Sequence, residues 1–252
     1  MKKKTRDEKR MSFLDHLEEL RWRILKSLAV VILFSIVAYF FSQHLLSFLT
    51  RPVPADVQLI FTTPTGAFLV SIKVAIIFGI LASLPVIFYQ VWAFITPGLM
   101  EKEIRLAVVV VGSATLCFLI GFAFAYFIIL PFGLRFLFSF QTSYLAPMPD
   151  ISSYVGFAGR LFLAFGIVFE LPLLSFMLSK MGLLTPAFLR RQRRYAIAVI
   201  FILAAILTPP DVITQVLLAA PLILLYEVSI WISAAVTGKR KRAGAVEGTP
   251  EG

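Results

Sequence analysis

Six times along this chain charged side chains all but drop out for a stretch approaching the roughly 20 residues that a helix needs to cross a bilayer. These stretches cover about 24–41, 67–89, 106–130, 161–179, 195–207 and 213–232. Hydrocarbon offers no partner for a backbone N–H or C=O, so a segment that crosses it alone must close its own hydrogen bonds as a helix. The expected fold class is therefore all-α, a polytopic membrane bundle of six transmembrane helices built as a single domain over 1–235, followed by a disordered tail at 236–252. Composition agrees: 59% of the 252 residues are hydrophobic and only 15% charged, whereas soluble domains average about 45–50% and about 25%.

The fifth and sixth stretches are separated only by Thr208, Pro209, Pro210 and Asp211, and two consecutive prolines forbid a continuous helix. The apolar part of the fifth, Tyr195 to Leu207, spans roughly 20 Å as a helix. A bilayer core is about 30 Å thick, so helices five and six are expected to be short and the membrane beside them locally thinned. Pro85 and Pro172 should kink the second and fourth spans and make the bundle concave. The proline-bearing loops 42–66 and 131–160, with Pro52 among them, are expected to form a structured cap.

Orientation follows from lysine and arginine. Nineteen of the 24 fall in the N-terminal segment, the 93–105 and 180–194 loops and the tail. The opposite side holds Arg51, Lys73, Arg135 and Arg160, and Lys26 snorkels from the first span. The positive-inside rule then puts both termini in the cytoplasm. The same rule accounts for the net charge of +10 without nucleic acid. Lys2, Lys3 and Lys4 ahead of an apolar run imitate a signal peptide, but that run is too long for an h-region and no small-residue cleavage site follows it, so it is read as a retained span. Cys117 is the sole cysteine, and His16 and His44 lack ligand-like neighbours. No disulfide, metal site or other cofactor is expected.

Several polar residues stand out against this background. Ser12 and Asp15 fit a capping box opening an amphipathic helix over 12–23, with Phe13, Leu14, Leu17 and Leu20 on its lipid-facing stripe and Glu19 on its polar side. Glu19 and Glu103 would lie on the same, strongly basic face of the membrane. Two carboxylates there can accept planar guanidinium groups; equally, Glu19 can pair with Arg23 at i,i+4, and Glu103 can be a solvated loop charge near Lys102 or Arg105. Glu170 lies near the middle of the fourth span, where a charged carboxylate costs about 2.5–3.5 kcal/mol. It reads as a proton relay, a polar partner site, or a protonated acid bonded to a neighbouring helix. Asp211 suits an N-cap for the sixth helix, and Gln215 is a hydrogen-bond partner for another helix in lipid. Trp92 and Phe94 suit interfacial anchors.

Five stretches, FLDHLEELRWRI (13–24), PVIFYQVWAFITPGLMEKEIR (85–105), FAYFIILPF (124–132), AFGIVFELP (164–172) and RRYAIAVIFILAAILTPPDVITQVLLAAPLILLYE (193–227), resemble in order the signatures of the TatC family of twin-arginine protein translocases. The resemblance implies a bacterial inner-membrane receptor and scaffold for exporting folded proteins, driven by the proton motive force, that catalyses no covalent reaction. Its implied partners are single-span TatA- and TatB-type subunits, signal peptides bearing two adjacent arginines, membrane lipid and further copies of itself within a larger complex. By the same resemblance Glu19, Glu103, Arg21, Gln90 and Phe94 contact the signal peptide, Glu170 faces a hydrated groove, Thr208, Asp211, Gln215 and Glu227 receive partner helices, and Pro52 belongs to the outer cap. Gly66 stands where many relatives carry an acid. A proton-coupled transporter using Glu170 and Glu227 is the rival reading, opposed by the missing internal repeat. An intramembrane enzyme lacks any HExxH, nucleophile elbow or aspartate pair.

Overall fold

A computed structural model describes residues 13–95, 104–139, 148–208 and 212–246. All elements there are helical: α1 (Phe13–Phe40), α2 (Ser42–Thr50), α3 (Gly66–Ile95), α4 (Ile104–Phe124), α5 (Leu130–Phe138), α6 (Ile151–Val168), α7 (Leu171–Met181), α8 (Pro186–Leu207) and α9 (Val212–Val246), with a π-helical turn at Ala125–Ile129 joining α4 to α5. Among the described residues five helical stretches are long and apolar enough to cross a membrane: Asp15–Phe40, Gly66–Phe94, Val108–Phe138, Ile151–Met181 and Val212–Gly238. The stretch 195–207 is the second half of α8, whose first half carries Arg190, Arg191, Arg193 and Arg194. Two compact units emerge, one of Met1–Leu45 with Val74–Thr115 and one of Leu46–Lys73 with Leu116–Gly252.

In the first unit α1 meets α3 where neither has bulk. A Cβ on Gly79 would come within 2.7 Å of the Ser35 backbone, and small residues are what allow helix backbones to approach in lipid, where apolar burial supplies no driving force. Ser83 Oγ donates to the Gly79 carbonyl at 2.6 Å, keeping its hydroxyl satisfied inside the helix. Leu25, Leu28, Ile32, Leu33 and Ile36 remain exposed along α1, as suits a surface whose solvent is lipid.

In the second unit, two tyrosines from different elements close the end of α2. The Tyr126 hydroxyl donates to the Phe48 carbonyl at 2.7 Å and the Tyr154 hydroxyl to the Leu49 carbonyl at 2.6 Å, satisfying carbonyls that a helix C-terminus leaves without an intrahelical partner. Tyr126 also stacks on Phe48, with centroids 4.4 Å apart. The π-turn that carries Tyr126 ends where the Leu130 N–H reaches back five residues to Ala125. It immediately precedes Pro131, which has no N–H to continue the α-helical ladder.

Much of the 131–160 region expected to be loop is helical: α5 runs to Phe138 and α6 begins at Ile151. Pro131 falls in the first turn of α5, where the π-turn before it has already replaced the α-helical ladder it cannot continue, and Asp150 starts α6 by accepting the Ser153 N–H at 2.8 Å. The other Asp150 oxygen takes the Thr62 hydroxyl at 3.0 Å. Backbone bonds from Ile60 to Pro149 and from Ile151 to Ile60 tie the two connecting segments together. These donors hold the Asp150 carboxyl below its ordinary value, the Ser153 amide contributing most.

The fourth span is interrupted at Phe169–Glu170, just ahead of Pro172, which has no N–H to offer the Val168 carbonyl. α7 ends in Gly182, the one glycine among the described residues with positive φ (83°), a left-handed cap that lets the Leu183 N–H return to the Leu178 carbonyl. α9 packs on both α7 and α8. Buried Ser179 and Ser233 share a 2.7 Å hydrogen bond between α7 and α9, and the Tyr226 hydroxyl donates to the Leu189 carbonyl at 2.7 Å. The tail expected to lose order from 236 is instead helical to Val246. Lys239 to Arg242 and the alanines that follow are residue types that favour helix.

Candidate functional site

Helical periodicity brings three of the expected residues of the first unit together. On α1, Glu19 and Arg23 lie one turn apart, and both Nε and Nη2 of Arg23 donate to Glu19 Oε1, the Nε contact at 2.8 Å. The i,i+4 pairing is thus the arrangement that forms. Arg23 also reaches α3, where its Nη1 donates to Gln90 Oε1 at 3.3 Å. Phe94, one turn beyond Gln90, stacks on His16 with ring centroids 4.3 Å apart. The second Glu19 oxygen faces His16 Nδ1 at 4.0 Å.

Beside this polar cluster runs a groove of about 390 Å³ between α1 and the end of α3, lined by Leu20, Ile24, Leu28, Val31, Ile87 and Val91, with Arg23, Gln90 and Phe94 along its polar part. A carboxylate with one oxygen committed to Arg23 and the other turned to a histidine retains lone pairs for a further guanidinium. The adjoining apolar walls accept aliphatic side chains. Arg21 stands apart from this cluster and pairs with Glu18 at 3.2 Å, both 62% exposed. Glu103 lies outside the described residues, as does Ser12. Sequence reasoning treated Arg23 only as a local partner of Glu19 and assigned no role to His16. Both sit at helical spacing from Glu19, and that spacing was the available signal.

Glu170, in the second unit, is 8% exposed at the junction of α6 and α7. It makes no capping bond; its Oε1 is buried without a hydrogen-bond partner, while the Phe118 backbone amide lies against the carboxyl. Close packing surrounds it. A Cβ on Gly121 would lie 2.6 Å from the Phe165 carbonyl oxygen and 2.9 Å from Phe169, and one on Gly166 would enter the Phe118 ring.

The remaining candidates are dispersed. Thr208 is buried, its hydroxyl donating to Ala204 at 2.8 Å, and Gln215 Nε2 donates to the Phe201 carbonyl at 3.1 Å, leaving its amide oxygen for other donors. Asp211 lies outside the described residues. Glu227 pairs with Arg193 at 2.6 Å, an intramolecular use the sequence did not reveal. Pro52 occupies the turn directly after α2, where the Val53 N–H returns to Thr50.

Residues 15–221 match the family described as Sec-independent protein translocase protein (TatC). The protein of that name from Desulforapulum autotrophicum is 42% identical over 241 residues, covering 94% of this chain and 89% of the relative. The one from Aquifex aeolicus is 38% identical over 236 residues, covering 92% and 98%. A crystal structure of the twin arginine translocase receptor TatC superposes with a TM-score of 0.80 at 38% identity, covering 88% of this chain and 99% of that one. With a family match over most of its length and relatives of this similarity, the chain belongs to the TatC family of Sec-independent protein translocase proteins.

Proposed function

We propose that this translocase subunit receives twin-arginine signal peptides at the cytoplasmic face and then organises TatA- and TatB-type subunits for proton-motive-force-driven export. In this reading the chain crosses a bacterial inner membrane six times with both termini in the cytoplasm, and several copies work within a larger complex. The observation that carries the proposal is the Glu19 carboxylate paired with Arg23, which itself lines an apolar groove. A peptide with guanidinium groups followed by an aliphatic segment presents the matching pattern. Arg23, Gln90 and Phe94 would position it, and Glu103 would add a second carboxylate.

Recruitment would be by differential binding and not by chemistry. An arriving arginine competes with Arg23 for Glu19, so Arg23 holds the site in shape until it is occupied. Glu170, buried beside a helix break, supplies a polar contact within the membrane for the inserted peptide or a partner helix. Gln215, Thr208, Asp211 and Glu227 are the proposed docking positions for partner helices.

The test is photocrosslinking in membranes from a probe at Val91, inside the groove, to peptides bearing Arg-Arg or Lys-Lys. Crosslinks that require the arginines and fall in a Glu19→Gln variant support the receptor reading. Equal crosslinking of both peptides, unchanged by Glu19→Gln, refutes it.

A further inference from the structure

Ser152, Gly156 and Arg160 follow at four-residue intervals on α6 and therefore share a face. Lys73 of α3 joins them: its Nζ donates to the Ser152 carbonyl at 3.2 Å and to Ser152 Oγ at 2.7 Å, and lies 3.9 Å from where a Gly156 Cβ would stand. An ammonium has three donors. Two are taken, both by neutral oxygens, and one remains. Arg160 is exposed one turn beyond Gly156, and the tilt of helical Cα–Cβ bonds starts its side chain back toward that glycine. Among the described residues neither Lys73 nor Arg160 belongs to an ion pair. Asp150, the nearest acid along α6, is already occupied by Thr62 and Ser153.

Depth along the helices gives this cationic face a membrane context. From Lys73 to the end of α3 at Ile95 is about 33 Å of helix, and from Arg160 to the end of α7 at Met181 about 31 Å. Both cations lie within the apolar stretches Gly66–Phe94 and Ile151–Met181, seven and nine residues from their first residues, and long basic side chains near a span's end snorkel to the boundary where lipid phosphates lie. Ile167, seven residues after Arg160 on the same face, is 62% exposed and offers an apolar surface below the charged one. We propose that Lys73 and Arg160, with Gly156 left bare between them, form a seat for the phosphate of an anionic phospholipid.

Purified full-length protein in neutral detergent is titrated with phosphatidylglycerol, phosphatidylcholine or inorganic phosphate, and bound lipid is counted by native mass spectrometry. Arg160→Gln removes a surface charge. Gly156→Leu fills the seat while keeping both cations, next to nothing but the movable lysine terminus. Each should weaken phosphatidylglycerol binding about fivefold, the effect of roughly one charge at a membrane surface, and leave phosphatidylcholine binding unchanged. Phosphatidylglycerol affinity at the original level in both variants overturns the proposal, as does a wild-type protein that does not distinguish the two lipids. Inorganic phosphate binding as well as the lipid would overturn the lipid as occupant.

Discussion

Gly121→Ala tests how closely α4 must approach the broken fourth span. The added methyl would sit 2.6 Å from the Phe165 carbonyl oxygen and 2.9 Å from Phe169 Cβ and Cγ. The nearest obstacle is backbone, which cannot rotate away, so α4 and α6 must separate by several tenths of an ångström. Overpacking of this kind costs about 1–3 kcal/mol, and an immobile neighbour places it in the upper part of that range. Replacing glycine by alanine within a helix returns about 0.5–1 kcal/mol. The net loss is about 1–2 kcal/mol, roughly a 5- to 30-fold shift in the folding equilibrium. Gly133→Ala is the matched control, because a Cβ there meets nothing within 4 Å; it should be neutral or slightly stabilising. Melting of detergent-purified protein, followed by loss of the monodisperse peak in size-exclusion chromatography, reads both variants. A Gly121→Ala protein that melts with or above Gly133→Ala would refute the reasoning.

Three further perturbations have defined outcomes. Tyr154→Phe leaves the Leu49 carbonyl without its donor and should cost about 1–3 kcal/mol, with faster amide exchange near the end of α2 as the check. The Asp150 carboxyl is held below its ordinary value of 3.8 by the Ser153 and Thr62 donors, so its contribution is complete above that value and is lost as pH falls through the lower folded value. Melting temperature measured from pH 6 to pH 2 should therefore show an acid drop that is reduced in Asp150→Asn. Ser179→Ala strands the Ser233 hydroxyl and should destabilise by about 0.6–1.7 kcal/mol, whereas the double change to alanine should recover part of that loss in a thermal double-mutant cycle.

Much of this architecture was legible because the bilayer enforces it. An apolar run of sufficient length must be helical, and 67–89 and 213–232 lie within α3 and α9. Boundaries were harder to read where helices leave the hydrocarbon. The region 131–160 reads as loop by its prolines and polar residues, yet Pro131 sits where a helix tolerates it and Asp150 caps α6. Basic residues after Gly238 end the hydrophobic run without ending the helix. Charge and hydropathy report what solvates a segment; capping and propensity decide where it stops coiling.

By itself the sequence determined the all-helical class, a kink near Pro172 and the family to which the chain belongs, and it offered the i,i+4 pairing of Glu19 with Arg23 as one of two arrangements, because each depends on periodicity, local sterics or ordered motifs. Tertiary structure decided the rest. Gln90 and Phe94 join Arg23 and His16 only when α3 lies beside α1, Glu227 meets Arg193 across 34 positions, and Lys73 reaches Ser152 across 79. Such encounters are set by which helices can pack closely, and that rests on bare positions such as Gly79 and Gly121 whose role appears only when another backbone is against them.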